Sequence, residues 1–182
     1  MNKILKLTFI LFLVCAITAG ILGGVNELTK DRIAQINKEK TEKAYAAVLP
    51  AAGYEEIDAS LYESAYPNID KIVKGTGGEG WVVESTFSGA QGNITMATGV
   101  GSDFKCTGIS IISHSETSGL GANAASTSEI GVNFRAQFLG ADSSVALKKS
   151  GGEIDALTGA TITSRSVTKA CAQAIAACEA LS

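Results

Sequence analysis

The chain has 182 residues, 46% apolar and 18% charged, with 20 glycines, 2 prolines, 1 histidine and 4 cysteines. A net charge of −3 gives it no electrostatic reason to bind nucleic acid, and high glycine with almost no proline excludes collagen and proline-rich disorder. One histidine beside scattered cysteines argues against a structural zinc site, and the length suits one domain of ordinary size with an appendage.

Leu7 to Asn26 carries no charged side chain. Twenty helical residues span about 30 Å, the thickness of a bilayer core. The run therefore predicts an uncleaved membrane helix over 7–26, in contact with membrane lipid, behind a short stub at 1–6. A cleaved signal peptide is the alternative, since Lys3 and Lys6 form a basic start; the run is long for one, and no A-x-A site follows it. Lys3 and Lys6 before the span balance Lys30 and Arg32 after it, so flanking charge assigns no orientation. Ala16, Gly20 and Gly24 fall four apart. That stripe lets another helix approach closely, and the general abundance of glycine in membrane helices accounts for it equally.

From Glu27 the chain becomes charged and rich in helix formers. Leu28, Ile33, Ile36, Tyr45, Val48 and Leu49 are spaced for a helix with a partial apolar face, which Pro50 stops. This predicts a helical stalk over 27–50 whose end docks on a domain spanning 51–182.

Gly75-Thr76-Gly77-Gly78-Glu79-Gly80 formally contains G-x-G-x-x-G. A dinucleotide fingerprint needs a helix next, so that the pyrophosphate meets the helix N-terminus. Trp81 to Phe87 instead alternates like a strand, so the run reads as a turn entering a sheet. Ser88 to Asn93 reads as a hairpin loop, Ile94 to Val100 as the return strand and Gly108 to Ser113 as a third. Strands this close in sequence predict a twisted antiparallel sheet. Packed by a C-terminal helix and the end of the stalk, it makes an α+β domain.

His114-Ser115-Glu116-Thr117-Ser118-Gly119-Leu120-Gly121 follows the third strand. Any Ser-His-Asp triad must use His114, the single histidine, and no G-x-S-x-G elbow supplies its serine. Glu116, Thr117, Leu120 and Gly121 combine carboxylate, hydroxyl, one apolar side chain and bare backbone. That mixture suits a planar polar ligand; a structural loop accounts for it as well.

The most informative stretch is Gly151 to Ser164, ahead of a helix marked by Val167, Ala170, Cys171, Ala174, Ile175, Cys178 and Leu181. Thr163 or Ser164 is expected to cap its start. Unpaired N–H groups and the helix dipole then favour an anion at the turn, where Gly159 and Ala160 admit close approach and Thr158, Thr161 and Thr163 supply hydroxyls. An ordinary capped turn is the alternative. Cys171 and Cys178 lie seven apart on this helix, about 10 Å by rise, too far for a disulfide. They read as core residues, and Cys106 is a further cysteine that could pair with one of them.

Thr158-Gly159-Ala160-Thr161-Ile162-Thr163-Ser164 resembles the S/T-G-A-T-x-T/S signature of the FMN-binding domain family, in which the threonine after alanine carries FMN through a phosphoester bond. The matching residue is Thr161, and Asp155 matches the aspartate that opens the motif. His114 to Gly121 resembles the family's H-x-E-T-P-G-L-G element, which lines the flavin; Ser118 stands where the family usually has proline. Phe134 to Gly140 resembles the family's segment between the two motifs. One membrane helix, a stalk and one such domain is the layout of the G subunits of Rnf complexes, which pass electrons between ferredoxin and NAD and couple this to Na⁺ or H⁺ transport; the related C subunits of Na⁺-translocating NADH:quinone oxidoreductases share the layout and are usually longer.

The resemblance implies an electron-transfer subunit with covalent FMN, the stub in the cytoplasm and the flavin domain outside the bacterial cytoplasmic membrane. It implies a separate flavin transferase for maturation, and membrane flavoprotein and iron–sulfur subunits as partners. Glu116, Thr117, Leu120, Gly121, Thr158, Gly159, Ala160 and Thr163 would then surround the cofactor on Thr161. Lys148, or Lys149 beside it, would supply a cation near the flavin; a solvated charged pair is the plainer account of both. Two rivals are a membrane-anchored flavoprotein of another reductase and a pilin-like structural protein. Pilins usually carry an acidic residue within the apolar run, and Leu7 to Val25 has none.

Overall fold

A computed structural model describes residues 3–181; residues 1 and 2 of the expected stub, and residue 182, lie outside them. The described residues fall into two compact units, the first ending at Lys40 and the second beginning at Thr41. Helix α1, Lys3–Val48, runs without a break through the expected membrane segment and the expected stalk.

In the first unit Leu7, Phe9, Phe12 and Leu22 stand exposed. A helix apolar all round needs a hydrocarbon or protein environment to cover it. Among the described residues α1 is the helix long and apolar enough to cross a membrane. Its threonines suit such a medium: the Thr8 and Thr18 hydroxyls donate to the carbonyls of Ile4 and Val14 at 3.0 and 2.9 Å, so neither hydroxyl proton is left unpaired in lipid.

The second unit is α+β. Its antiparallel sheet has the order β1-β2-β3-β4-β5, built from β1 (Tyr54–Glu56), β2 (Ile69–Gly75), β3 (Gly80–Ser88), β4 (Asn93–Gly101) and β5 (Cys106–His114). Two helices follow, α2 (Glu129–Ala136) and α3 (Thr161–Ala180). The three strands that the sequence predicts are β3, β4 and β5. The hairpin between β3 and β4 closes with Gly89 N–H donating to the Gly92 carbonyl at 2.7 Å. The glycine run before Trp81 is the turn between β2 and β3; Gly78 takes φ 82° and Gly80 φ 140°, and a Cβ on Gly80 would lie 2.1 Å from the Val100 carbonyl oxygen.

Both faces of the sheet are covered. One packs Ile72, Val83, Met96 and Ile109 against Val167, Cys171 and Ile175 of α3. The other packs Val73, Val82 and Ala97 against Ala44, Tyr45, Val48 and Leu49 at the end of α1. The stalk end docks as its apolar spacing predicts. Sequence patterning does not reveal β1 and β2. In β2 the adjacent Ile72 and Val73 are both buried, one on each face, and the pairing with β3 shifts between Ile69 and Lys71. Burial on both faces erases the alternation that marks a strand. Cys106, Cys171 and Cys178 are buried free thiols; burial pushes the Cys178 thiol up to about 12.

The end of α1 is held by polar contacts as well. The Tyr45 hydroxyl donates to Glu84 Oε2 at 2.7 Å, and Thr107 Oγ1 donates to the Val48 carbonyl. Gly99 is what lets the two approach. A Cβ there would lie 2.4 Å from the Val48 carbonyl oxygen and 2.3 Å from Thr107 Oγ1. Gly99→Ala is therefore expected to destabilise the second unit by about 1–3 kcal/mol, the usual range for overpacking a close contact, seen as a lower denaturant midpoint for the full chain in detergent.

Candidate functional site

The two sequence elements singled out after β5 and before α3 meet in space. Glu116 is the hinge of that meeting. Its residue is buried, and both carboxylate oxygens are used. Oε1 accepts from the backbone N–H groups of Ala90 and Gln91, at 2.8 and 3.0 Å, in the β3–β4 hairpin. Oε2 accepts from the Thr163 hydroxyl in the first turn of α3. Two glycines make room: a Cβ on Gly89 would lie 2.3 Å from Oε1, and one on Gly121 would lie 2.2 Å from Oε2 and 2.6 Å from Thr163 Oγ1. Burial opposes ionisation, but donation from Gln91, Thr163 and Ala90, with a smaller contribution from His114, outweighs it and holds the carboxyl below its usual range. His114 itself is exposed, and its Nδ1 accepts from the Glu116 N–H at 3.3 Å.

Glu116 and Thr163, both expected to touch the cofactor, are buried and hydrogen-bonded to one another. Thr117 is exposed, and its carbonyl accepts from Leu120 and Ala122, both at 3.2 Å, closing the loop. Leu120, 43% exposed, comes to Gly159: a Cβ on that glycine, which has φ 73°, would lie 2.9 Å from Leu120 Cδ2. Gly121 is buried under the carboxylate.

Helix α3 starts earlier than its sequence suggests. Neither Thr163 nor Ser164 caps it; the cap position falls on Ala160, with no side-chain hydrogen bond. The reason is that both hydroxyls are drawn elsewhere. Thr163 donates to Glu116, while Ser164 Oγ accepts from the Leu157 N–H and donates to the Ala160 carbonyl, each at 2.9 Å. The first intrahelical bond is Ser164 N–H to the Ala160 carbonyl. The N–H groups of Thr161, Ile162 and Thr163 precede it and have no intrahelical partner. Thr161 is the first helical residue and is half-buried; Thr158 and Gly159 are exposed just before it.

Two grooves flank this turn and share Asp155, Ala156, Leu157 and Thr158. One, about 470 Å³, is lined by Leu120, Ile130, Phe134 and Leu157 with Asn123 and Asn133. The other, about 370 Å³, holds Lys148, Lys149, Gly159 and Thr161. Lys148 Nζ pairs with Asp155 Oδ2 at 2.6 Å, both side chains well exposed. An ion pair this exposed is weak; among the described residues no carboxylate pairs with Lys149. Sequence reasoning missed the α2 wall of the first groove, Ile130 and Asn133, and the hairpin N–H groups on Glu116. The only signal for the first was the resemblance of the neighbouring 134–140 segment; local sequence held none for the second.

The depressed Glu116 carboxyl makes a pH prediction. Its stabilisation is present above the ordinary glutamate value of about 4.3 and is lost as pH falls through the lower folded-state value. Glu116→Gln is expected to lower stability at neutral pH by about 1–3 kcal/mol, the cost of leaving buried donors poorly matched, and to flatten the acid limb of a melting-temperature profile against pH.

Residues 89–176 match the FMN-binding domain, and residues 1–48 match the RnfG N-terminal region. The G subunit of an ion-translocating oxidoreductase complex of Methanosarcina acetivorans is 34% identical over 96% of this chain and 94% of its own. The G subunit of the Na⁺-translocating ferredoxin:NAD⁺ oxidoreductase complex of Acetobacterium woodii is 32% identical over 91% and 86%. Its counterpart in the proton-translocating complex of Clostridium ljungdahlii is 31% identical over 96% and 91%. With both ends of the chain matched and the two motif elements built into one site, the chain belongs to the family of Rnf complex G subunits.

Proposed function

We propose that this chain carries FMN esterified through its phosphate to Thr161 and relays electrons as a subunit of an ion-translocating ferredoxin:NAD⁺ oxidoreductase. The observation that carries the reading is the placement of Thr161. It opens α3 at an uncapped N-terminus, on the rim of a lysine-bearing groove and a short stretch of chain from an apolar one. Free N–H groups and the helix dipole favour a phosphate there. Gly159, without a Cβ, leaves the backbone open beside it, and Thr158 adds a hydroxyl at the rim.

The apolar groove suits the flavin ring. Its volume lies within the roughly 300–1,000 Å³ usual for small-molecule sites, and Leu120, Phe134 and Leu157 offer it apolar surface. Lys149 places positive charge on the other side of the turn. Bound there, the flavin supplies one- and two-electron transfer, while the chain orients it and sets its electrostatic surroundings. Both grooves are open, so the ring edge stays reachable by redox partners in the complex, namely membrane flavoprotein and iron–sulfur subunits.

Among the described residues no hydrogen bond engages the Thr161 hydroxyl, so no side chain is placed by such a bond to take its proton. The ester is therefore made by a separate flavin transferase. The apolar part of α1 anchors the chain in the cytoplasmic membrane, with the flavin domain on the extracytoplasmic side, where a covalent tether prevents loss of the cofactor. The test is in-gel fluorescence of the denatured full chain, co-expressed with a flavin transferase. The wild type is expected to give a fluorescent band that Thr161→Ala abolishes, and native preparations to retain iron–sulfur subunits. A dark wild-type band would overturn the covalent reading.

A further inference from the structure

Gln137 follows α2 directly, and its side chain reaches across to the segment that leads into Thr158–Thr161. Its Oε1 accepts from the Asp155 N–H at 2.7 Å, and its Nε2 donates to the Asp155 carbonyl at 3.4 Å. One carboxamide thus satisfies both main-chain groups of a single residue, as a neighbouring strand would. The opposite side of the same segment is held by backbone. Ile154 N–H donates to the Ala146 carbonyl at 3.1 Å, and Lys148 N–H to the Ile154 carbonyl at 2.9 Å. Residues 154 and 155 are therefore gripped from both edges just before the turn.

The grip is well founded. Phe134 and Phe138, on either side of Gln137 in sequence, are buried, with ring centroids 5.4 Å apart at an angle of 79°. They fix the backbone from which the carboxamide extends. Beyond Asp155 the segment is next tied at Leu157, whose N–H donates to Ser164 Oγ and whose carbonyl accepts from the N–H of buried Ala160 at 3.0 Å, leaving Thr158 and Gly159 as the exposed tip of the turn before Thr161. That turn is held by Leu157 and, ahead of it, by the grip on Asp155, where Gln137 is the mooring that sequence spacing does not reveal.

We infer that Gln137 is a positioning residue for the acceptor turn: its carboxamide holds Asp155 so that Thr161 is presented in the conformation the flavin transferase engages. The inference rests on the flavin reading of Thr161 and goes beyond it. It predicts a particular kinetic signature. If only a fraction of the chain holds the competent turn, apparent affinity for the transferase falls by that fraction while the bound form reacts as before.

The experiment uses the full-length chain in detergent, a flavin transferase with its flavin donor, and covalent fluorescence as the readout. Gln137→Met keeps the length and removes both hydrogen bonds. It is expected to raise the KM for the acceptor chain about tenfold, the equivalent of one or two hydrogen bonds, with kcat close to that of the wild type. Gln137→Glu keeps the acceptor for the Asp155 N–H and loses the donor, so its KM is expected to fall between the two. This variant also serves should the methionine substitution prevent folding, which the melting temperature of each variant reports. A folded Gln137→Met or Gln137→Glu chain with wild-type KM, while the wild type is labelled normally, would overturn the positioning role and leave the flavin reading intact. Failure of the wild type to become labelled overturns the flavin reading, and the positioning role with it.

Discussion

A carboxylate removed from water must be solvated by the protein that buries it, and in this chain that requirement draws three segments to one point. Glu116 brings the β3–β4 hairpin, the loop after β5 and the first turn of α3 together, because each supplies a donor or the room for one. Gly89 and Gly121 are part of the same constraint, since any side chain there would occupy the carboxylate's position. The consequence for function is indirect and large. Once Thr163 is pinned to Glu116, the start of α3 and the loop carrying Leu120 have a set spacing, and Leu120 is left against Gly159.

The same commitment leaves α3 without a side-chain cap. In most helices a hydroxyl or carboxylate answers the first N–H groups. Here the two candidates are spent on Glu116 and on the Leu157–Ala160 turn, so the helix presents its positive end with an alanine and a glycine before it. A cap traded for an inter-element bond costs the helix some local stability, which the burial of α3 against the sheet offsets.

The sheet owes its position to small residues in a similar way. Alanines along α3 and Gly99 on β4 let covering helices come close on opposite faces. Helix α1 contributes to two units that obey different rules. Its first part is apolar on all sides and lacks protein cover, while Ala44, Tyr45 and Val48 are core residues of the second unit. No glycine or proline lies in α1 between Val25 and Val48, a composition that favours helix through that stretch.

What the sequence determined by itself was whatever depends on near neighbours along the chain. The charge-free run, the alternation in β3, the periodicity of α3 and the T-G-A-T turn are local patterns, and each is read from residues within a few positions of one another. Tertiary structure decided the rest. Strand β2 lost its alternation because both sheet faces are buried. The cap position of α3 lies at Ala160, three residues ahead of Thr163, the first of its two expected caps, whose hydroxyl is bonded to a carboxylate 47 residues away in sequence. Lys148 was paired with Asp155, and the groove beside Thr158 acquired a wall from α2. These outcomes turn on which distant partner wins each hydrogen bond, and that is settled only when the chain has closed on itself.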